Sequence, residues 1–490
     1  MKAQAFAAPV GNDPIIDFDD IQGDVLIGLQ KDAEAFVFFT INNVAAFKTA
    51  LRTAILPLIT SASDVRRREK QIEDAKAAGL KTRFLFLGLN IAFTEAGLTR
   101  LGAPTAGMDP AFVAGAHQRA AVTGDDIALW PPAYANGDVH GVLLVTGPIE
   151  ATVNNHADGV LAIFGAAVTA LPREHGATRP QRGHEHFGFL DGVSQPGIRG
   201  LTKRQNPLDD DQGLPGQDLL WPGEFVFGYP GQDPDDMHAQ GPPPPLAQAW
   251  MANGSYLVWR RLEQKVLAFR ERVTQQAAAL GMDEQLLAAR MVGRWPSGAP
   301  LSRAPLQDDI TLGPDPMENN NFEFGNDGDQ RRCPFAAHIR KTYPRDDLGD
   351  AGEAGVQTHR FRRSGIPFGP EVDEDAEAIG AEASRGLMFV CYQTSIEEQF
   401  EFVQESWVNN PGFVFGKNRP AGGGGGPIQP GHDPIIGHVG GPRVMDEPVP
   451  NYPVGDTRST LNLPDPFVIP TAAAYLFTPS LSALGAAPIA

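Results

Sequence analysis

Two parts of this chain follow the same order of elements, and that limits the folds open to it. In the first, Phe36-Val37-Phe38-Phe39-Thr40-Ile41 reads as a strand, and a helical pattern covers 44–59. A second strand is expected at 83–89. A short helix then runs to Leu101 with Thr94 as its N-cap. A third strand at 139–146 leads into a helix over 150–171. The order returns with a strand at 255–261, helical patterns to Ala289, a strand at 386–392 and a helix over 396–407. No residue-level repeat accompanies it. The pattern predicts an α+β fold of two ferredoxin-like halves, each an antiparallel sheet with helices on one face. Their expected bounds are 17–200 and 201–490, behind an unstructured arm at 1–16. Between 181 and 245, turn signals such as Asp191-Gly192 and four consecutive prolines at 242–245 mark long loops of the kind that cover sites.

One segment carries chemistry on an apolar surface: Arg332-Cys333-Pro334-Phe335-Ala336-Ala337-His338-Ile339-Arg340-Lys341-Thr342-Tyr343-Pro344-Arg345. Pro334 suits the first position of a helix and Pro344 discourages helix at Tyr343, so about two turns are expected. His338 then sits among small and apolar residues, with cations at Arg340, Lys341 and Arg345. An imidazole, a flat apolar wall and an arginine rim suit a haem. Alone, the pattern better fits a core histidine bonded to a backbone carbonyl.

Composition narrows the partners. The 490 residues are 42% hydrophobic, enough for a substantial core, and 40 Lys and Arg against 59 Asp and Glu leave a formal charge of −19. Nucleic acid and anionic membrane need a basic face and are disfavoured. Cys333 and Cys391 form neither a disulfide framework nor CxxCH, so a haem would be non-covalent haem b. The first residues lack the apolar core of a secretory signal, and no apolar run reaches membrane-spanning length. A cytoplasmic location is expected from the residues. Five glycines at 422–426 lack a following GKS or GKT and read as a tether. GxSxG and HExxH are absent. Gly183-His184-Glu185-His186 offers two histidines on one strand face, a weak non-haem metal alternative without a third ligand nearby.

Two further motifs are Gly188-Phe189-Leu190-Asp191-Gly192 and Arg363-Ser364-Gly365-Ile366-Pro367-Phe368-Gly369-Pro370-Glu371. With the His338 segment between them, and Asp17-Phe18-Asp19-Asp20-Ile21-Gln22-Gly23-Asp24 and the block at 473–482 at the two ends, the chain resembles the dye-decolorising peroxidases. The likeness is to the long-chain fungal and bacterial type, over about 17–485.

The resemblance implies haem between the halves, with His338 as proximal iron ligand. The second ring nitrogen would donate to a carboxylate, Asp433 first and Glu397 second. Asp191 would be the distal acid–base group and Arg363 the distal arginine, with Arg362 competing for that register and Arg360 fitting a solvated loop arginine. Leu387 and Phe389, at alternate strand positions, would line the haem. Arg345, and less so Arg340, would meet a propionate. Hydrogen peroxide would be the oxidant, and anthraquinone or azo dyes and phenols the reductants, oxidised in one-electron steps via a ferryl intermediate. Trp407 and Tyr343 are candidate surface electron relays, whereas Phe368 excludes a tyrosyl radical at that turn. Asp346, Asp347, Asp350 and Glu353 form an acidic cluster that would suit Mn²⁺ as a further reductant. A haem-handling protein without turnover is the alternative, against which Asp191 and Arg363 argue. The family also leaves secretion open, and oligomeric state is not indicated.

Overall fold

The computed structural model describes residue 6 and residues 9–82, 84–418, 427–447 and 460–490, without the side chains of 350 and 351. The glycine run at 422–426 lies outside the described residues.

Ten strands build one antiparallel sheet: β1 (Ala33–Ile41), β2 (Gly88–Phe93), β3 (Gly141–Gly147), β4 (Val168–Ala170), β5 (Glu174–Ala177), β6 (Ser255–Gln264), β7 (Arg362–Arg363), β8 (Ile366–Phe368), β9 (Gly386–Gln393) and β10 (Val468–Thr478). Its order is β8-β9-β6-β10-β2-β3-β1-β4, with β5 also on β1 and β7 also on β9. The first half supplies β2-β3-β1-β4 and the second β8-β9-β6-β10, the same ferredoxin-like order twice. The two sets meet where Phe477 of β10 pairs with Phe93 of β2. At the far ends, Gly176 of β5 packs against Ile366 of β8, bringing the sheet round on itself. Glycine is needed there because a Cβ would overlap the isoleucine.

Alternation fixes which face each strand residue serves. Phe39 turns to the helices, where Phe47 and Phe164 stack with ring centroids 4.8 Å apart. Phe38 turns to the other face and meets Trp259 of β6. Arg260, next to Trp259, points oppositely, into a cavity walled by the second-half helices. Among the described residues, no helix is long and apolar enough to cross a membrane.

Several expectations shift. Thr94 caps Glu95–Leu101 as read, accepting from the Gly97 N–H. The second strand begins at Gly88, because Phe84 and Phe86 stack on each other and Leu85 is exposed rather than entering the sheet. The helix from Glu150 ends at Phe164, where Gly165 takes a positive φ, and the chain returns as β4. The helix of the His338 segment is His338–Thr342, with Pro334 in the preceding turn, so His338 is its first residue. Nor are the described residues of the arm free. Phe6 bridges to Thr202, Asp13 pairs with Arg204 at 2.7 Å and Ile16 is buried.

Candidate active site

His338 stands at one wall of a cavity of about 240 Å³. Its Nδ1 donates to Asp433 Oδ2 at 2.8 Å, which leaves Nε2 for the cavity side. Asp433 is fully buried, and its Oδ1 accepts from the N–H groups of Ile435 and Ile436 at 2.7 and 3.0 Å. Burial opposes its charge, but His338 and those donors hold its pKa below the usual carboxylate range. Burial likewise disfavours the imidazolium, yet the Asp433 charge and hydrogen bond raise the His338 pKa. The pair is an oriented imidazole with an electron-rich free nitrogen.

Asp191 and Arg363 line the same cavity, with Arg363 Nη1 3.3 Å from Asp191 Oδ1. The carboxylate sits in a turn closed by Gly192, whose N–H it accepts at 2.6 Å. Arg362 and Arg363 are neighbours on β7, so their side chains leave opposite faces. Arg362 is buried on the carbonyls of Asp24 and Ile27. Of the two, only Arg363 reaches the cavity. Leu387 and Phe389 also line it, and are the two partly accessible positions in an otherwise buried β9. A mid-strand residue stays accessible only if its face looks into open space. Phe361, Ile339 and Ile435 extend the apolar wall.

Five arginines line the cavity. Arg260 pairs with Asp125, Arg360 with Asp218 at 3.0 Å, and Arg363 with Asp191. Arg294 has no carboxylate partner among the described residues. It donates to the Gly298 and Asn319 carbonyls, Ser194 Oγ and Asn320 Oδ1. Burial, then the neighbouring Arg345, lower its pKa to about 9. Arg345 shares Asn320 Oδ1, its nearest carboxylate is Glu323 at 3.8 Å, and its buried Nε has no partner. Two buried, under-neutralised guanidiniums beside an apolar slot fit an anionic ligand with a flat apolar body. The donor set suits haem: one backed imidazole, one apolar wall and two arginines for carboxylates.

Comparison with known proteins decides the family. A DyP dimeric alpha+beta barrel domain matches residues 20–180, and a Dyp-type peroxidase C-terminal domain matches 244–413. A dye-decolorizing peroxidase of Mycena epipterygia is 38% identical, over 97% of this chain and 87% of the relative. The chain belongs to the dye-decolorising peroxidase family. A multifunctional dye peroxidase of Amycolatopsis is 30% identical over 95% of both chains. The solved structure of an ancestral D-type dye-decolorising peroxidase superposes with a TM-score of 0.83 at 38% identity, covering 97% of this chain and 100% of that one. A second, a dye-decolorising peroxidase in complex with 2,6-dimethoxyphenol, gives 0.79 at 35% identity with the same coverage. This dye-decolorising peroxidase is therefore an enzyme acting on dyes.

Other candidates in the peroxidase are placed differently from the sequence reading. Trp407 is buried rather than at the surface. It stacks on Phe413 at 5.1 Å, and Phe413 meets the exposed Phe415. Tyr343 is buried too, lining the cavity with its hydroxyl on Asp218, and burial pushes its pKa up. Arg360 is not a solvated loop residue. It lies 3.6 Å over the Tyr343 ring. Arg340 is spent on Asp347 and Asp327 and does not line the cavity. Glu397 pairs with Arg119.

Of the acidic cluster expected to suit Mn²⁺, the Asp350 side chain lies outside the described residues and two other members are engaged elsewhere. Asp347 is buried against Arg340 and Lys417, and Asp346 caps the N–H groups of Phe324 and Gly325. His184 and His186 bond to the Pro296 and Phe368 carbonyls, while Glu185 caps Phe187 and Phe189. Among the described residues, no group of three or more His, Cys, Asp or Glu could hold a metal ion. Arg294, Ser194 and Asn320 were missed. Ser194 stands three residues after Asp191, the one signal available for it. Arg294 and Asn320 carry none, because their role exists only once distant loops meet.

Proposed function

We propose that the cavity holds haem b non-covalently, and that the enzyme uses hydrogen peroxide to oxidise bulky aromatics such as anthraquinone and azo dyes and phenols in one-electron steps. One observation carries this. An Asp433-backed imidazole and an Asp191–Arg363 pair line a single cavity beside Arg294, which has no carboxylate partner among the described residues, and Arg345, which meets Glu323 only at 3.8 Å. The complex of a solved relative with 2,6-dimethoxyphenol supports phenols as reductants.

His338 would hold the iron through Nε2, Arg345 and Arg294 would take the propionates, and Leu387 and Phe389 would lie along the ring. When bound, the haem supplies an iron centre that receives peroxide and stores its oxidising equivalents. Asp433 keeps the Nδ1–H tautomer, so the lone pair stays on Nε2. Asp191 takes a proton from the inner peroxide oxygen and delivers it to the outer one, while the Arg363 guanidinium stabilises negative charge on the departing oxygen. The planar Arg363 guanidinium lies 3.3 Å from Asp191 Oδ1, so the two distal groups meet over the same part of the cavity. The apolar wall keeps water from competing. Trp407, stacked towards exposed Phe415, would carry electrons from reductants too large to enter.

Reconstituting the apoprotein with haem tests the reading. A Soret band should form in wild type, Asp191→Asn and Arg363→Leu alike. Both variants should lose about 100-fold or more in kcat/KM for peroxide. Unchanged peroxide turnover in both would overturn the assignment of the distal groups.

A further inference from the structure

We infer that Gln195 is a positioning residue that locks the Asp191 loop to the Arg363 strand, so that the two distal groups move as one unit. The inference rests on the proposed role of Arg363. In the ladder between β7 and β9, Arg362 faces Tyr392 and Arg363 faces Cys391, and the Ser364 N–H donates to the Val390 carbonyl at 2.8 Å. Alternation in an antiparallel pair then turns the N–H and C=O of Arg363 away from β9, to the open side of a two-residue strand. Such edge groups normally face water or a further strand. Here one side-chain amide takes both. Gln195 Oε1 accepts from the Arg363 N–H at 3.2 Å, and Gln195 Nε2 donates to the Arg363 carbonyl at 2.5 Å.

Gln195 lies four residues after Asp191 in the same loop, so this amide connects the backbone that bears the guanidinium to the turn that bears the carboxylate. Its own carbonyl accepts from Gln217 Nε2 at 3.0 Å, which holds the loop from behind. The far side of the strand is fixed independently. Buried Asp24 accepts from Ser364 Oγ and Tyr392 OH, each at 2.8 Å, and Lys31 Nζ donates to the Ser364 carbonyl at 2.8 Å. The N-terminal Gln22-Gly23-Asp24 motif thus anchors the residue after Arg363, and Gln195 anchors Arg363 itself. With only Asp24 holding, the strand keeps its place in the sheet but loses its backbone tie to the Asp191 loop, leaving the 3.3 Å side-chain contact without that support. A misplacement of about 1 Å at a reacting group can cost on the order of 100-fold in rate.

The test is a double-mutant cycle on the haem-loaded enzyme using Gln195→Ala, Arg363→Leu and the double variant, read with hydrogen peroxide and a bulky dye. Gln195 is only half-buried, so folding is expected to survive; thermal melting of each variant checks this. Gln195→Ala should lower kcat/KM for peroxide about 10-fold or more while leaving the KM for dye unchanged. The double variant should be no slower than Arg363→Leu alone, because a residue acting through Arg363 has nothing left to position. Losses that multiply, or a Gln195→Ala enzyme with wild-type peroxide kinetics, would overturn the inference. If Arg363→Leu itself leaves peroxide turnover intact, the proposed distal role fails instead. Should Gln195→Ala prove unstable, Gln195→Glu keeps the acceptor and removes the donor. It should show the same non-additivity, and additive losses there would equally refute the clamp.

Discussion

Replacing Asp433 by Asn probes the proximal pair directly. The carboxylate accepts on both oxygens, from His338 on one side and from two backbone N–H groups on the other. An amide fits in one of two ways, both unfavourable. If its oxygen stays on the backbone donors, its NH₂ faces Nδ1. The imidazole must then carry its proton on Nε2, which removes the lone pair from the cavity side. If the amide flips, its NH₂ meets two N–H groups, and each buried donor left unpaired costs about 1–3 kcal/mol. The charge-assisted bond, worth about 1.5–3 kcal/mol, is lost either way. Haem affinity should fall roughly 10- to 100-fold.

The pH dependence adds a second signature. Burial lowers the His338 pKa and Asp433 more than restores it, for a net rise. Coordination needs the neutral ring, so protons compete with haem and wild-type affinity falls as pH drops below that raised value. In Asp433→Asn burial acts without its counterweight, and competition begins at lower pH. In the apoprotein, the stability supplied by the His338 proton is complete below the ordinary imidazole pKa of 6.5 and is lost as pH rises through the raised native value. Haem titration of both apoproteins from about pH 5 to 8, followed by Soret absorbance, reads affinity and its pH dependence together. Variant affinities within twofold of wild type across that range would refute the coupling.

Three other outcomes are expected. Trp407→Phe should keep peroxide consumption with small phenols but lower bulky-dye oxidation severalfold; equal losses on both substrates would point to a packing defect around Phe413. Glu224 is buried, and burial raises its carboxyl pKa from 4.5 to about 8, so native stability declines as pH rises between those values. Glu224→Gln should remove that decline, which a shift of this size puts at about 5 kcal/mol across that range, in urea unfolding of the apoprotein. Gly293 has φ +94°, and a Cβ there would overlap Ile339, next to His338. Gly293→Ala should therefore destabilise the protein by about 1–3 kcal/mol and displace the Soret band, measured by thermal melting and absorbance.

Local order was legible from the residues. The strand-and-helix alternation held in both halves, and Thr94 capped its helix, because alternation and capping involve neighbours within a few positions. The motifs around Asp191, His338 and Arg363 carry the family's pattern within short stretches of chain. They also pointed to Asp433, 95 residues from the histidine it meets. What the linear pattern left undecided was how each charge is neutralised. Arg360 looked solvated, but Asp218, 142 residues away, draws it inside. Asp347 looked available to a cation, but Arg340 consumes it. Arg294 carried no signal at all, and its place among neutral acceptors emerges only when the loops bearing Ser194 and Asn320 converge on it. Gln195 carried no signal either, because its role depends on the open edge of β7 arriving beside it. Secondary structure follows from short-range sterics and periodicity, whereas the protonation, pairing and aim of a buried polar group depend on which distant groups share its low-dielectric surroundings.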